Sequence, residues 1–331
     1  MLIISDIHIP YLVDAVRREW QDVDICPMKP EEMDADAVRN ADVLVIRTRT
    51  RVNEALLAGS KVRLVCSATI GFDHIDTAWC DAHNIRWTAC PGCNAKAVCD
   101  YIEEAIEETM NNGQRTMDHF VPTIGVVGVG HVGSLVAKMG ERRGLKVLLN
   151  DPPLGIGESL DFIAQKCDII TFHVPLIGDK DTNRSTGGKQ ILYPTFHMCN
   201  EAFLSKCKPG ALIINAARGG VVDEQALLHS GNPYVLDTWE NEPDINPDVL
   251  QHATLASMHI AGYSLEGKRN ATQMCLDAIA ETFGLKKIIN LPFHPSIHNG
   301  DSAPGWLSRI TAQLKSAPTS FESLRLIYPL R

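Results

Sequence analysis

Three short segments hold the residues best suited to chemistry: Asn215-Ala216-Ala217-Arg218-Gly219-Gly220, Asp237-Thr238-Trp239-Glu240-Asn241-Glu242-Pro243 and Met258-His259-Ile260-Ala261-Gly262-Tyr263. Each follows an apolar run, at 211–214, 234–236 and 254–256. Each is therefore expected at the carboxyl end of a strand, the edge where open α/β sheets bind ligands. Arg218 offers a planar fork able to bind a carboxylate and polarise the adjacent oxygen. His259 can take a hydroxyl proton, and Glu242 can hydrogen-bond the imidazole and fix its tautomer. Together they supply what removal of hydride and proton from a 2-hydroxy acid requires. Singly, each has a structural explanation. An arginine before Gly-Gly is commonly on the surface, a histidine after a strand commonly structural, an acid before proline ordinary turn chemistry. Their recurrence on successive strand ends favours the catalytic set.

An acceptor for that hydride needs a site of its own, and Gly128-Val129-Gly130-His131-Val132-Gly133 provides the pattern. A strand-like run at 123–127 precedes it and a helical pattern at 132–142 follows. Gly128 permits the tight turn, Gly130 lets backbone approach a pyrophosphate, and Gly133 lets helix and strand pack closely. The phosphates would then meet the unpaired N–H groups of the helix N-terminus. The next strand-like run, 146–149, ends in Asn150-Asp151. A carboxylate there accepts from a ribose diol and repels a 2′-phosphate, favouring NAD over NADP. The competing explanation of Asp151 is a turn residue before Pro152-Pro153.

The elements that must hold these residues follow a regular rhythm. Short β-branched runs at 2–5, 43–46, 64–67 and 85–88 alternate with helical patterns, and a second series begins at 123 with runs at 146–149, 168–172, 211–215, 234–236 and 254–256. This is the signature of parallel α/β architecture. Val98, Tyr101, Ile102, Ala105, Ile106 and Thr109 recur at helical spacing, with Asn111-Asn112-Gly113 as a stop. A further helix carries Ala271, Met274, Cys275, Ala278, Ile279 and Phe283 on one face, and a short one is expected at 306–314. The fold class expected is α/β, with two Rossmann-like domains built on parallel sheets and linked by long crossover helices. The expected domains are 1–94 with about 264–290 for substrate and 95–263 for NAD. A short segment, 291–331, follows as a reduced dimerisation region.

Composition narrows the partners. The 331 residues carry 40 acidic against 31 basic side chains, a net charge of −9, which argues against bulk nucleic-acid binding. No run of about 18 apolar residues signals a membrane span, and the chain opens directly on a strand-like segment rather than a leader. A cytoplasmic protein is expected, its ten cysteines reduced and many of them buried.

The glycine turn, Asn-Ala-Ala-Arg-Gly, Glu-Asn-Glu-Pro and the histidine after the last strand resemble the D-isomer-specific 2-hydroxyacid dehydrogenases. Further likeness lies in Ala68-Thr69-Ile70-Gly71-Phe72-Asp73-His74-Ile75-Asp76, Pro91-Gly92-Cys93-Asn94-Ala95, Asp151-Pro152-Pro153 and 259–268, the last being the most specific. Within the family these segments are closest to a branch that acts on a phosphorylated hydroxy acid in vitamin B6 (pyridoxal phosphate) synthesis. The resemblance implies Arg218 as substrate anchor, Glu242 as acid partner and His259 as proton donor and acceptor. It implies NAD contacts from His131, Val132, Asp151, Thr171, Ala216, Ala217, Arg218, Asp237 and Gly262, and substrate contacts from Thr48, Thr69 and Tyr263. It covers roughly 1–290. The family's C-terminal dimerisation domain is longer than 291–331, so a homodimer is expected without that module.

For a phosphate, the run 43–46 leads into Arg47-Thr48-Arg49-Thr50-Arg51. Continued extension would put the three arginines on one side, suited to bidentate hydrogen bonds, with Lys268 and Arg269 as further candidates. A solvated, charge-protected edge strand is the alternative. Cys80, His83, Cys90 and Cys93 approach zinc-site spacing, but an intervening strand-like run at 85–88 argues for no metal. His74 and His173 are expected to be structural. Two alternative functions remain open: another D-2-hydroxy acid, phosphoglycerate or lactate-like, as substrate, or a dinucleotide-sensing binding protein on the same fold.

Overall fold

The computed structural model describes residues 1–111, 121–178, 193–289, 291 and 305–328. The chain divides into two units, Met1–Asn94 with Ser264–His298 and Ala95–Tyr263 with Asn299–Arg331. Among the described residues no helix is long and apolar enough to cross a membrane.

In the first unit five parallel strands alternate with helices: β1 (Leu2–Asp6), α1 (Leu12–Glu19), β2 (Asp24–Met28), α2 (Ala35–Val38), β3 (Val43–Ile46), α3 (Glu54–Leu57), β4 (Leu64–Ser67), α4 (Thr77–Ala82) and β5 (Arg86–Thr88). The sheet order is β2-β1-β3-β4-β5. β3 and β4 are buried throughout, which is why they read as unbroken apolar runs. Val43 and Val45 join one apolar cluster while Leu44 and Ile46 join another, the two faces of the sheet. β2 carries no such signal, because its Asp-Ile-Cys-Pro-Met sequence includes a proline. The sheet tolerates Pro27 because β2 is an edge strand, where one side of the ladder needs no donor.

The second unit begins with α5 (Ala95–Asn111), followed by β6 (Thr123–Val127), α6 (His131–Arg142), β7 (Lys146–Asp151), β8 (Ile156–Gly157), α7 (Leu160–Lys166) and β9 (Ile169–Phe172). Then come α8 (Glu201–Leu204), β10 (Leu212–Asn215), α9 (Glu224–Ser230), β11 (Tyr234–Leu236), α10 (Pro247–His252) and β12 (Leu255–Ala256). Its sheet runs β12-β11-β10-β9-β6-β7-β8, all parallel except β8. Strand order reverses between β6 and β9, the switch point at which such sheets bind ligands. The register sets the strand ends in one row: Val127 pairs with Phe172, Phe172 with Asn215, Asn215 with Leu236 and Leu236 with Ala256. The residues that follow each emerge along a single edge.

The chain then returns to the first unit as α11 (Leu265–Phe283), whose Ala271, Cys275, Leu276, Ile279 and Ala280 join the apolar cluster of Val43 and Val45. The remaining helices are α12 (Trp306–Ser316) and α13 (Phe321–Ile327). The sequence pattern foreshadows α12 but not α13. The segment 291–331, expected as a reduced dimerisation region, has described residues that pack into an apolar cluster. Trp306, Leu307, Ile310, Leu314, Phe321 and Leu324 lie in the apolar cluster of the second unit.

All ten cysteines are free thiols, and among the described residues no group of three metal-ligating side chains is present. Cys80 and Cys90 belong to the clusters on opposite faces of the first sheet, so they cannot share an ion. Burial among apolar neighbours pushes the Cys80 thiol up to about 11, which makes it a core residue rather than a nucleophile.

Candidate active site

The glycine turn after β6 assigns each glycine a separate task. Gly128 has φ +88, and a Cβ there would lie 2.8 Å from the His173 carbonyl. A Cβ on Gly133 would meet the Gly128 oxygen at 1.8 Å, so α6 can approach β6 this closely only with glycine at that position. A Cβ on Gly130, by contrast, would meet nothing within 4 Å among the described residues. Gly130 is also the N-cap of α6, and no side chain caps the helix. Open space over uncapped backbone N–H groups is the condition a pyrophosphate needs. His131 is exposed and Val132 half-buried beside it.

Asp151 ends β7, as expected, but its carboxylate first serves the turn itself. Oδ2 accepts from Val129 N–H at 2.7 Å and Oδ1 from Leu154 N–H at 3.3 Å. It thus performs the turn role and remains half-buried at the expected ribose position. Two residues expected at the cofactor lie beneath the surface instead. Thr171 is fully buried and its hydroxyl meets His173 Nε2 at 3.0 Å. Burial drives the His173 imidazole down to about 3, so it stands neutral beneath the turn. Asp237 is 1% exposed. Its carboxylate accepts from the Ser257 hydroxyl (2.6 Å), Ile260 N–H (2.7 Å) and Ala261 N–H (2.9 Å). As the chain lies, Thr171 and Asp237 hold the site rather than line it.

That clamp positions His259. Asp237 O accepts from His259 N–H at 2.8 Å, the Tyr101 hydroxyl lies 2.8 Å from Ser257 Oγ, and Trp239 Nε1 donates to Ser257 O. Held on both sides, His259 adopts φ +57, a left-handed conformation that a non-glycine residue keeps only when its surroundings over-determine it. Its Nδ1 lies 2.6 Å from Glu242 Oε1, with the two side chains 30% and 28% exposed. A carboxylate at Nδ1 fixes the proton there and leaves Nε2 as the basic nitrogen. Glu242 Oε2 is buried without a hydrogen-bond partner among the described residues.

Arg218 is set by the residue that ends β10. Asn215 is 1% exposed; its Nδ2 donates to Arg218 O at 2.8 Å and its Oδ1 accepts from Ala217 N–H at 3.1 Å. The Asn-Ala-Ala-Arg pattern is thus a side-chain-clamped turn. Arg218 Nη1 donates to Ala217 O, and the residue is half-buried. Gly219 follows because a Cβ there would fall 2.0 Å from Trp239 O, so the Arg218 and Glu242 loops touch backbone to backbone. Sequence reasoning missed a second histidine–glutamate pair on this seam, His197 Nε2 and Glu240 Oε1 at 2.6 Å. Glu240-Asn241-Glu242 carries two acids, and the first of them is the sequence signal for this pair.

Gly262 and Tyr263 are half-buried, and the Arg325 guanidinium lies 5.9 Å from the Tyr263 ring centroid. In the first unit Thr69 is half-buried after β4, bonded to Ser67 Oγ and Gly71 O. His74 also meets Ser67, consistent with a structural role. The arginine run does not stay extended: β3 stops at Ile46, the chain turns at Thr48 and Arg49, and Thr50 buries its hydroxyl against Met33 sulfur. The three arginines therefore do not form one alternating face. Arg47 instead binds the buried Asp6 carboxylate, Nε to Oδ2 at 2.7 Å, while Thr48, Arg49 and Arg51 are exposed. Burial first, and then the charge of Arg47, lower the Lys268 pKa, which places two cations together. Arg269 points elsewhere, to Leu291 O.

Known proteins resemble this chain over most or all of its length. Residues 1–291 match the family model of the D-isomer specific 2-hydroxyacid dehydrogenase catalytic domain. The chain is 40% identical to a Bacteroides fragilis protein named erythronate-4-phosphate dehydrogenase, over 100% of this chain and 97% of that one. It is also 40% identical to the protein of that name from Klebsiella pneumoniae, over 86% and 74%. Among solved structures, the Entamoeba histolytica 3-phosphoglycerate dehydrogenase with bound NAD+ superposes with a TM-score of 0.67 at 21% identity, covering 88% of this chain and 99% of that one. An Aquifex aeolicus D-lactate dehydrogenase gives 0.61 at 23%, covering 86% and 96%. This chain belongs to the D-isomer specific 2-hydroxyacid dehydrogenase family.

Proposed function

We propose that the chain oxidises 4-phospho-D-erythronate at C2, with NAD, to 2-oxo-3-hydroxy-4-phosphobutanoate, in pyridoxal 5′-phosphate (vitamin B6) biosynthesis. The observation that carries the reaction is the 2.6 Å His259–Glu242 pair on the sheet edge that also bears the Arg218 turn and the glycine turn. The substrate is supported by the full-length likeness to proteins named for it.

The residues present fit NAD, because among the described residues the space over Gly130 is open and no side chain caps the N-terminus of α6. Gly128, Gly130, His131, Val132 and Gly133 would hold the pyrophosphate, Asp151 the ribose, and Ala216, Ala217, Arg218 and Gly262 the nicotinamide side. When bound, NAD supplies the acceptor for the hydride that leaves C2. Arg218 binds the C1 carboxylate and polarises the C2 oxygen. His259 Nε2 takes the hydroxyl proton, and the Glu242 carboxylate holds Nδ1–H and balances the positive charge that the transfer creates. Tyr263, Thr48 and Thr69 contact the substrate, and Arg47 with Lys268 meets its phosphate, Arg49 lending charge at longer range. The first unit thus serves the substrate and the second the cofactor, in a cytoplasmic homodimer.

NADH formation with 4-phospho-D-erythronate, 3-phosphoglycerate and D-lactate tests the assignment. The first is expected to give the highest kcat/KM. Faster turnover of either other acid would reassign the substrate, and NADH binding without turnover of any would favour a dinucleotide-sensing protein.

A further inference from the structure

Glu224, the first residue of α9, is 3% exposed. Burial, then the charges of Glu240, Glu242 and Asp223, push its carboxyl up to about 7, against the lowering effect of a hydrogen bond from the Glu240 backbone. A buried acid among acids is costly to keep, so its short hydrogen bond is informative. Oε1 accepts from Glu240 N–H at 2.6 Å.

That bond spans the two loops of the proposed catalytic set. On one side, the chain runs from Arg218 through the short turn Gly219–Val221 and the N-cap Asp223 into Glu224. On the other, Glu240 stands in the turn after β11 that leads to Glu242. Between them lies the backbone seam at which Gly219 leaves no room for a Cβ against Trp239. His197 ties the same two loops from outside, donating its N–H to Gly220 O at 2.7 Å while its ring meets Glu240. Resting on the function proposed above, we propose that Glu224 is a positioning residue. By holding the Glu240 amide it sets Glu242, and through it His259, in register with the Arg218 turn.

Three variants test this: Glu224→Gln keeps an oxygen acceptor, Glu224→Leu keeps volume without one, and Glu224→Ala removes both. Loss of the acceptor is expected to lower kcat by about tenfold to a hundredfold through misplacement of the pair, with NADH affinity within about twofold of wild type. Glu224→Gln should recover kcat to within about threefold. Wild-type kcat in Glu224→Leu, a Gln variant no better than Leu, or equal losses of kcat and NADH affinity would each overturn the proposal. Hydrogen exchange at the Glu240 amide gives a readout independent of substrate. It should quicken by about tenfold in Glu224→Leu and not in Glu224→Gln. If wild type turns over no hydroxy acid, the proposed function fails, while this exchange result still decides the strut.

Discussion

His259 and Glu242 make unequal demands on substitution. Removing the imidazole removes the base proposed at His259, so His259→Ala should lower kcat by about 10²–10⁴-fold, the range of general-base catalysis. Glu242→Gln retains a group at Nδ1 but loses the charge, and a smaller loss in kcat is expected. Both should leave NADH binding, read by fluorescence, close to wild type. Glu224 supplies a pH test whose sign follows from burial. Its carboxyl titrates at 4.5 in the unfolded chain and at about 7 in the fold, so between these values only the folded state retains the proton. Stability then falls as pH rises through that window and levels above it. Melting temperatures of wild type and Glu224→Gln should therefore diverge from pH 4.5 to 7, with the variant the flatter; parallel curves would refute the buried titration. Arg218, Glu242 and His259 stand out in the sequence because each lies in a short segment that follows an apolar run. The sequence marks Asp237 for the cofactor and not for its clamp, and does not mark Glu224, since their hydrogen-bond donors are brought close only by tertiary packing. The arginine run misled for a related reason: alternation assumes extension, and Thr50 takes the chain into the core.

The glycine turn is the element whose sequence carried the most information, because three glycines at fixed spacing between a strand and a helix have few other uses. The structure separates what they do. Gly133→Ala places a Cβ against the Gly128 carbonyl, so α6 must move, at a cost of about 1–3 kcal/mol or more. Gly130→Ala meets nothing within 4 Å among the described residues and should leave the melting temperature within a few degrees. Its methyl would stand where the pyrophosphate is proposed to lie, and NADH affinity should fall by about tenfold or more. Thermal melts paired with NADH titrations check both, and a Gly130→Ala protein that binds NADH normally would move the cofactor elsewhere. Other elements were less legible. β2 is an edge strand containing Pro27 and exposing Asp24, so neither continuous apolarity nor clean alternation marks it. β8 has two residues, too few for any pattern, and lies antiparallel to β7 at the sheet edge.

For the molecule as a whole, the C-terminal helices raise the question of whether they assemble the protein or complete a unit. α12 lacks a cap of its own, as its N-cap is Gly305 with no side-chain bond. Glu108 of α5 supplies one, accepting from Leu307 N–H at 2.9 Å and Ser308 N–H at 2.8 Å. A carboxylate at a helix N-terminus also meets the positive end of its dipole. Along the helix, the Thr311 hydroxyl accepts from Ala256 N–H of β12 at 2.8 Å, and Trp306 packs edge-on to Tyr101, ring centroids 5.9 Å apart. Tyr101 in turn supports Ser257 and so the His259 loop. The apolar face of α12 is thereby committed to its own unit, each buried side chain contributing about 1.5–3 kcal/mol before ordering entropy. Deleting 305–331 should lower the melting temperature of the second unit, strip Tyr101 of its neighbour and reduce kcat. Glu108→Ala alone should cost about 1–2 kcal/mol, as other lost caps do. Light scattering on the deletion separates the alternatives: a dimerisation arm would give monomers of unchanged melting temperature, whereas a completing segment gives a destabilised second unit whatever the oligomeric state.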